Sequence, residues 1–116
     1  MTIGSVEIEW LEFFDEEDEE VATMESLIRF FGDSRLYVSL TVDEADGFPS
    51  WRRYVFQFMN TVDTTIFRYD NSDYHPGLPH EPHHKHEGAD ERVVGCPQPS
   101  VSMIRDEIEA YLKGLN

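Results

Sequence analysis

The chain has little cysteine, little lysine and no long apolar run. Its 116 residues include one cysteine, Cys96, so no disulfide can form within it and nothing indicates an oxidising compartment. No apolar stretch approaches the ~20 residues that span a bilayer. The first residues also lack the basic and apolar segments of a secretion signal. These absences predict a cytoplasmic protein that does not bind a membrane.

Basic residues are scarce in general, because 24 acidic residues stand against 9 basic ones and the net charge is −15. A free nucleic-acid-binding protein usually has the opposite balance. Two interpretations compete: a halophilic protein kept soluble by an acidic surface, or a local acidic surface that binds a partner. The low lysine content favours the first. Acids dominate residues 1–20, whereas residues 52–86 contain equal numbers of acids and bases.

The composition, with 40% hydrophobic and 13% aromatic residues, is typical of one globular domain, here residues 1–116. Residues 3–14 alternate like a strand at first and then lose the alternation, so a strand and a helix are both open there. After the acidic run, apolar residues recur at helical spacing and Gly32 ends the pattern, which predicts an N-terminal helix. The apolar positions are Val21, Met24, Leu27, Ile28 and Phe31.

Three segments rich in β-branched and aromatic residues predict strands at 35–43, 51–60 and 64–69. Short turn sequences separate them, so an antiparallel meander is expected. Residues 70–99 show no helix or strand period and contain most of the prolines, which predicts one long His/Pro-rich functional loop. A C-terminal helix follows. The expected fold is therefore α+β, with a small sheet of three or four strands, two flanking helices and the long loop.

All five histidines lie in this loop: His75, His80, His83, His84 and His86. One interpretation is a divalent transition metal on the histidine cluster, although the spacing matches no standard zinc pattern. A second is cleavage of RNA without a cofactor, in which two imidazoles act as base and acid. A third is a surface loop without chemistry. Spacing alone leaves all three open.

For RNA cleavage the neighbouring residues suit the remaining tasks. His83 or His84 would be the base, and His86 or His75 the acid. Lys85 and Arg68 would hold the phosphate charge. Tyr69 would help to bind the substrate by stacking a base or donating a hydrogen bond.

The segment YDNSDYHPGLPHEPHHKH, residues 69–86, resembles the TumE-type toxins of toxin–antitoxin pairs. The likeness covers residues 36–113 and is tightest around the run Pro-His-His-Lys-His that ends at His86. Two positions depart from the family pattern. Tyr74 replaces the first histidine of a Pro-His-His-Pro, and Glu81 replaces a phenylalanine. A tyrosine keeps a hydrogen bond but cannot act as a base at neutral pH.

The resemblance implies a small toxin that an antitoxin protein binds and silences. By position it carries over Asp70, His75, His83, His84, Lys85 and His86 as functional candidates. Since toxins of this kind commonly cut RNA, the leading hypothesis is a histidine-dependent endoribonuclease with an RNA substrate. The alternative is a non-enzymatic module whose loop binds a partner or is ordered by a metal. Whether the chain forms a homo-oligomer is left open.

Overall fold

The computed structural model describes residues 7–15, 22–30, 32–45, 47–72, 77–88 and 92–114. Each strand pairs antiparallel with the next one in the chain, so the seven strands form a single meander. Among the described residues, no helix is long and apolar enough to cross a membrane. The elements are β1 (Glu7–Asp15), β2 (Ala22–Arg29), β3 (Arg35–Ala45), β4 (Phe48–Met59), β5 (Thr65–Asp70), β6 (His84–Glu87), β7 (Arg92–Gly95) and α1 (Val101–Gly114).

The helix α1 covers one face of the sheet, which we call the helix face. Alternate residues of β3, β4 and β5 point to this face, because side chains in a strand alternate between the two sides. The buried stripe of α1, formed by Ile104, Ile108 and Leu112, packs there. The most deeply buried rings of the sheet belong to Tyr54, Phe58 and Phe67. We call the other side of the sheet the opposite face.

The predicted C-terminal helix is confirmed. Ser100 is its N-cap, since the backbone N–H of Met103 donates to the Ser100 hydroxyl oxygen at 3.1 Å. Lys113 lies in the last turn, where a positive charge favours the helix dipole. The three predicted strands are confirmed as β3, β4 and β5, and the alternation at the start of the chain belongs to β1.

The predicted N-terminal helix is wrong, because residues 22–29 form strand β2 between β1 and β3. The strand period was hidden by two exceptions. Ser26 is polar but buried, while Leu27, the next residue, points to the opposite face. Gly32 has a positive φ of 88°, which suits a hairpin turn as well as a helix end. A glycine stop therefore could not distinguish the two.

The expected sheet of three or four strands and the single long loop are also wrong. Residues 84–87 and 92–95 form β6 and β7, which extend the meander to seven strands. The sequence of β6 is HKHE, which has no apolar residue and hence no hydrophobic period. Pairing with β5 defines this strand instead, with Arg68 opposite His86 and Asp70 opposite His84.

Candidate functional site: a buried carboxylate with two histidines

Strand β6 divides the predicted site residues between the two faces of the sheet. In an antiparallel pair, residues directly opposite each other point to the same face. His84 and His86 therefore share the opposite face with Asp70 and Arg68 of β5, whereas Lys85 points to the helix face. A histidine–lysine–histidine run that looks like one patch in the sequence thus belongs to two environments.

Asp70 is at the centre of the group on the opposite face and is fully buried. Arg68 donates from Nε to Oδ2 at 2.8 Å. Ser72 donates from both its backbone N–H and its hydroxyl to Oδ1, each at 3.1 Å. Burial acts to raise the pKa of Asp70, but the bond from the Ser72 backbone and the charges of His84 and Arg68 outweigh it and lower the pKa. The carboxylate is therefore ionised at neutral pH.

Both histidines of β6 direct Nε2 toward this carboxylate. Nε2 of His84 lies 2.8 Å from Oδ1 of Asp70, and Nε2 of His86 lies 3.5 Å from Oδ2. The two imidazole rings meet edge to face, with their centroids 5.1 Å apart. On the far side of the first ring, Nδ1 of His84 lies 2.9 Å from the backbone carbonyl oxygen of Pro82. A carbonyl oxygen only accepts, so this Nδ1 has a hydrogen.

The segment before β6 closes over His84. Gly95 is opposite His84 in the β6–β7 pair, so a side chain there would point to the same face. A Cβ built on Gly95 would lie 2.2 Å from the carbonyl oxygen of Pro79 and 2.9 Å from its Cδ. Only a glycine admits the Pro79 backbone this closely. That contact helps to explain why the His84 side chain is 2% exposed, while the His86 side chain keeps 13%.

Lys85 has a different role on the helix face. Its ammonium group lies 2.7 Å from Oε2 of Glu107, a residue of α1. It also lies 5.0 Å from the ring centroid of Tyr69 and 5.6 Å from that of Phe67, within the range of cation–π attraction. The Tyr69 hydroxyl donates to Oε1 of Glu107 at 2.5 Å, and burial together with Glu107 raises the pKa of Tyr69. These contacts join β5 and β6 to α1.

His83 also lies apart from the Asp70 group. Its Nδ1 forms a 2.9 Å hydrogen bond with the Tyr54 hydroxyl, and the two rings stack with centroids 5.8 Å apart. Burial, then the charges of His80 and His84, lowers the pKa of His83. Burial likewise raises the pKa of Tyr54. The pair is held by packing as well as by its hydrogen bond.

The other predicted residues are placed as follows. His80 is exposed, at the turn before β6. His75 and Tyr74 lie outside the described residues, so the structure does not test their roles. Cys96 follows β7 and is half-buried, and burial raises the pKa of its thiol, which disfavours a nucleophilic role.

Comparison with known proteins decides the family. A family model described as Toxin TumE matches residues 6–114 of the 116-residue chain. The chain belongs to the TumE toxin family. The resemblance seen in residues 69–86 is thereby confirmed, and the match extends over the N-terminal strands as well. No curated protein and no solved structure matches the chain significantly.

Membership makes this chain the toxin component of a toxin–antitoxin system, with an antitoxin as its partner. In this TumE-family toxin the motif residues divide into Asp70, His84 and His86 on one face and Lys85 on the other. Sequence reasoning missed Ser72 and the Pro82 carbonyl, which orient the cluster, and Glu107, which binds Lys85. The spacing of two residues between Arg68 and Asp70, and between His84 and His86, is the one sequence signal that would place each pair on one face of a strand. No local sequence pattern predicts the contacts of Ser72, Pro82 and Glu107.

Proposed function

We propose that this toxin cleaves RNA at the cluster on the opposite face formed by Arg68, Asp70, His84 and His86. The observation that carries the proposal is the convergence of two imidazoles and a guanidinium on one buried carboxylate. Stability alone does not explain such a buried ion-pair network, because the cost of desolvating the charges offsets most of their attraction. A buried carboxylate whose pKa is shifted by its neighbours, as at Asp70, is typical of functional sites.

The chemistry of RNA cleavage fits this set. The 2′-hydroxyl must lose a proton, the leaving 5′-oxygen must gain one, and the phosphate needs a positive group beside it. The bond to Asp70 engages Nε of Arg68, and the terminal nitrogens of the same guanidinium can donate to a phosphate. Arg68 is 33% exposed and His86 is 13% exposed, so both can be approached from solvent.

Asp70 and His84 suit a positioning role. The carboxylate holds Arg68 in place through its 2.8 Å bond and faces both rings, while the Pro82 carbonyl selects the tautomer of His84. Two routes to activating the 2′-hydroxyl are compatible with these residues: an imidazole would accept its proton directly, or a divalent metal ion, if held by the imidazoles, would supply Lewis-acid chemistry there. Lys85 and His83 take no part in either route, because their contacts are on the helix face.

The net charge of −15 opposes RNA binding at low salt, because like charges repel over about 10 Å at 0.1 M ionic strength. Cleavage should therefore need either a salt-rich solution or a substrate that reaches Arg68 directly. This requirement agrees with the interpretation of the acidic surface as halophilic.

The test compares induced expression of the wild type, His86→Gln and His80→Gln in a host with matched internal salt, with total RNA examined on a gel. We expect growth arrest and RNA fragments from the wild type and from His80→Gln, and neither from His86→Gln. The His80 variant is a matched control, since it makes the same substitution at an exposed histidine of the same segment. Intact RNA beside arrested growth in the wild type would instead indicate a toxin that acts by binding.

A further inference from the structure

Three potential metal ligands meet at the site on the opposite face. The ligand atoms of Asp70, His84 and His86 all lie within 4.8 Å of one another. The two distances to the carboxylate are 2.8 Å from His84 and 3.5 Å from His86. A tetrahedral metal with bonds of about 2.1 Å separates its ligand atoms by about 3.4 Å. The observed distances lie on both sides of that value, so small side-chain rotations bring the three atoms to a common ion.

The hydrogen bond behind His84 prepares this ring for a metal. Since Nδ1 donates to the Pro82 carbonyl, Nε2 is the nitrogen left for a metal ion, which would replace any proton that this atom shares with Asp70. Metal-binding histidines usually donate their second nitrogen to a carbonyl or carboxylate, which fixes the tautomer and the ring orientation. Because the bond from Nδ1 to the Pro82 carbonyl does not involve Nε2, metal binding can leave it in place. The His84 ring is therefore already oriented for a metal ion.

The three ligand atoms are buried, so an ion would reach them from one side only. The Nε2 atoms of both histidines are buried, and Asp70 is 0% exposed, but the His86 side chain is 13% exposed and defines the side from which an ion or a substrate can enter. Arg68 and Ser72 donate three bonds to the Asp70 carboxylate, out of about four lone-pair positions. These three bonds orient the carboxylate, and a metal ion would take the place of its present contacts with His84 and His86.

From this arrangement we propose that Asp70, His84 and His86 bind one divalent transition-metal ion. Two imidazoles and one carboxylate suit zinc, cobalt, nickel and ferrous iron better than calcium or magnesium, which prefer oxygen ligands. Three protein ligands leave at least one coordination position open, as in metal sites that act on a substrate. Binding is a property of the three side chains and does not depend on the RNA cleavage proposed above.

The test uses the full-length protein without a histidine tag, treated with a chelator and then titrated with Co²⁺ and Zn²⁺. Visible absorption of Co²⁺ reports ligation by imidazole, and calorimetry with Zn²⁺ reports affinity and stoichiometry. We expect one ion per chain and a thermal transition that rises with Zn²⁺ concentration, because an ion that binds only the folded state stabilises it.

Two cluster variants and two control variants locate the ion. His86→Gln and Asp70→Asn should each weaken Zn²⁺ binding by more than about 100-fold. Loss of a residue that only hydrogen-bonds a metal ligand costs about 10–100-fold. His86 is partly exposed, so its variant tests the proposal even if the Asp70 variant fails to fold. His80→Gln and His83→Gln are the controls, since both remove a histidine from the same twelve-residue segment but neither belongs to the cluster.

The outcomes separate the alternatives. Loss of binding in the cluster variants alone, with the controls unchanged, supports the site. Equal weakening in all variants would mean that the histidine-rich segment binds ions without a defined site, and would overturn the proposal. So would the absence of binding by the folded wild type, which would identify the cluster as an ion-pair network of Asp70 with Arg68 and the two rings. Because the readout is metal binding, a chain that binds Zn²⁺ but leaves RNA intact would refute only the proposed function.

Discussion

On the helix face, Lys85 and Glu107 form an ion pair at 2.7 Å beside the rings of Phe67 and Tyr69. On the opposite face, one residue away in the chain, Asp70 faces two histidines and Arg68. In the first group Lys85 lies between two acids, Glu107 at 2.7 Å and Glu87 at 3.9 Å, and the bond to Glu107 joins α1 to the sheet. The second gathers two imidazoles and a guanidinium around one carboxylate, on the face of the sheet away from α1. The charges on the helix face therefore join two elements of the fold, whereas those on the opposite face converge on one buried group.

This contrast predicts that the two faces respond differently to substitution. Variants of the helix face should lose stability first, and variants of the opposite face should lose toxicity or metal binding while they stay folded. Thermal and denaturant unfolding, read beside growth arrest, can separate the two effects.

The largest expected effect is loss of the Phe58 ring. Phe58 is 0% exposed and contacts Phe30, Phe67 and Tyr111, so Phe58→Ala should lower the free energy of unfolding by about 3–5 kcal/mol. On the opposite face, Gln57→Ala removes one hydrogen bond to Thr65 and should cost about 0.5–1.5 kcal/mol. Denaturant titration of both variants measures the difference. Equal losses would contradict the assignment of the core to the helix face.

A second prediction concerns the contact between Gly95 and Pro79 beside His84. Gly95→Ala forces a Cβ against the Pro79 carbonyl, so either the 77–80 segment or β7 must shift. We expect a loss of about 1–3 kcal/mol, and greater exposure of the cluster should accompany it. The matched control is Gly114→Ala, since a Cβ at Gly114 meets nothing within 4 Å. Unfolding curves that place both variants at the wild-type stability would show that the Pro79 contact adapts freely.

A third prediction tests whether Lys85 acts in packing. Lys85→Met leaves Glu107 without its cation beside apolar rings. Because the two side chains are 16% and 33% exposed, solvent screening limits the loss of stability to about 1–2 kcal/mol. Adding Glu107→Gln should recover most of it, since the amide oxygen still accepts from the Tyr69 hydroxyl and no uncompensated charge remains. Stability should be measured for the single and the double variant.

Growth arrest should persist in the Lys85→Met/Glu107→Gln double variant once its stability is restored. Loss of arrest in a stable double variant would show that Lys85 takes part in toxicity, as the sequence motif predicts.

The smallest effect is expected at Cys96. Burial raises the pKa of its thiol, so at pH 8 a smaller fraction is thiolate than in a free cysteine of pKa about 8.5. Alkylation of the folded protein should therefore be slower than alkylation in denaturant, and it should accelerate as the pH rises. Mass spectrometry of a timed reaction measures both rates. Equal rates would show an accessible thiol with an ordinary pKa.

Local periodicity predicted much of the sheet and the helix, and the histidine motif predicted the family. β3, β4, β5 and α1 were readable because each has apolar residues at the spacing of its element. β2 was misread because Ser26 interrupts the buried row, and β6 because all four of its residues are polar. For such segments the structure is decided by hydrogen bonds to neighbouring strands, which local sequence does not contain.

The candidate site shows the same division. The sequence by itself determined the acidic surface, the single thiol, the family and the set of histidines from which a site could be built. The tertiary structure alone decided that Asp70 and His84 meet across the β5–β6 pair, while Lys85 and His83 turn to the helix face. The physical reason is that a strand alternates its side chains and its register is set by partner strands. Residues adjacent in the motif are therefore separated, and residues fourteen positions apart are brought into contact.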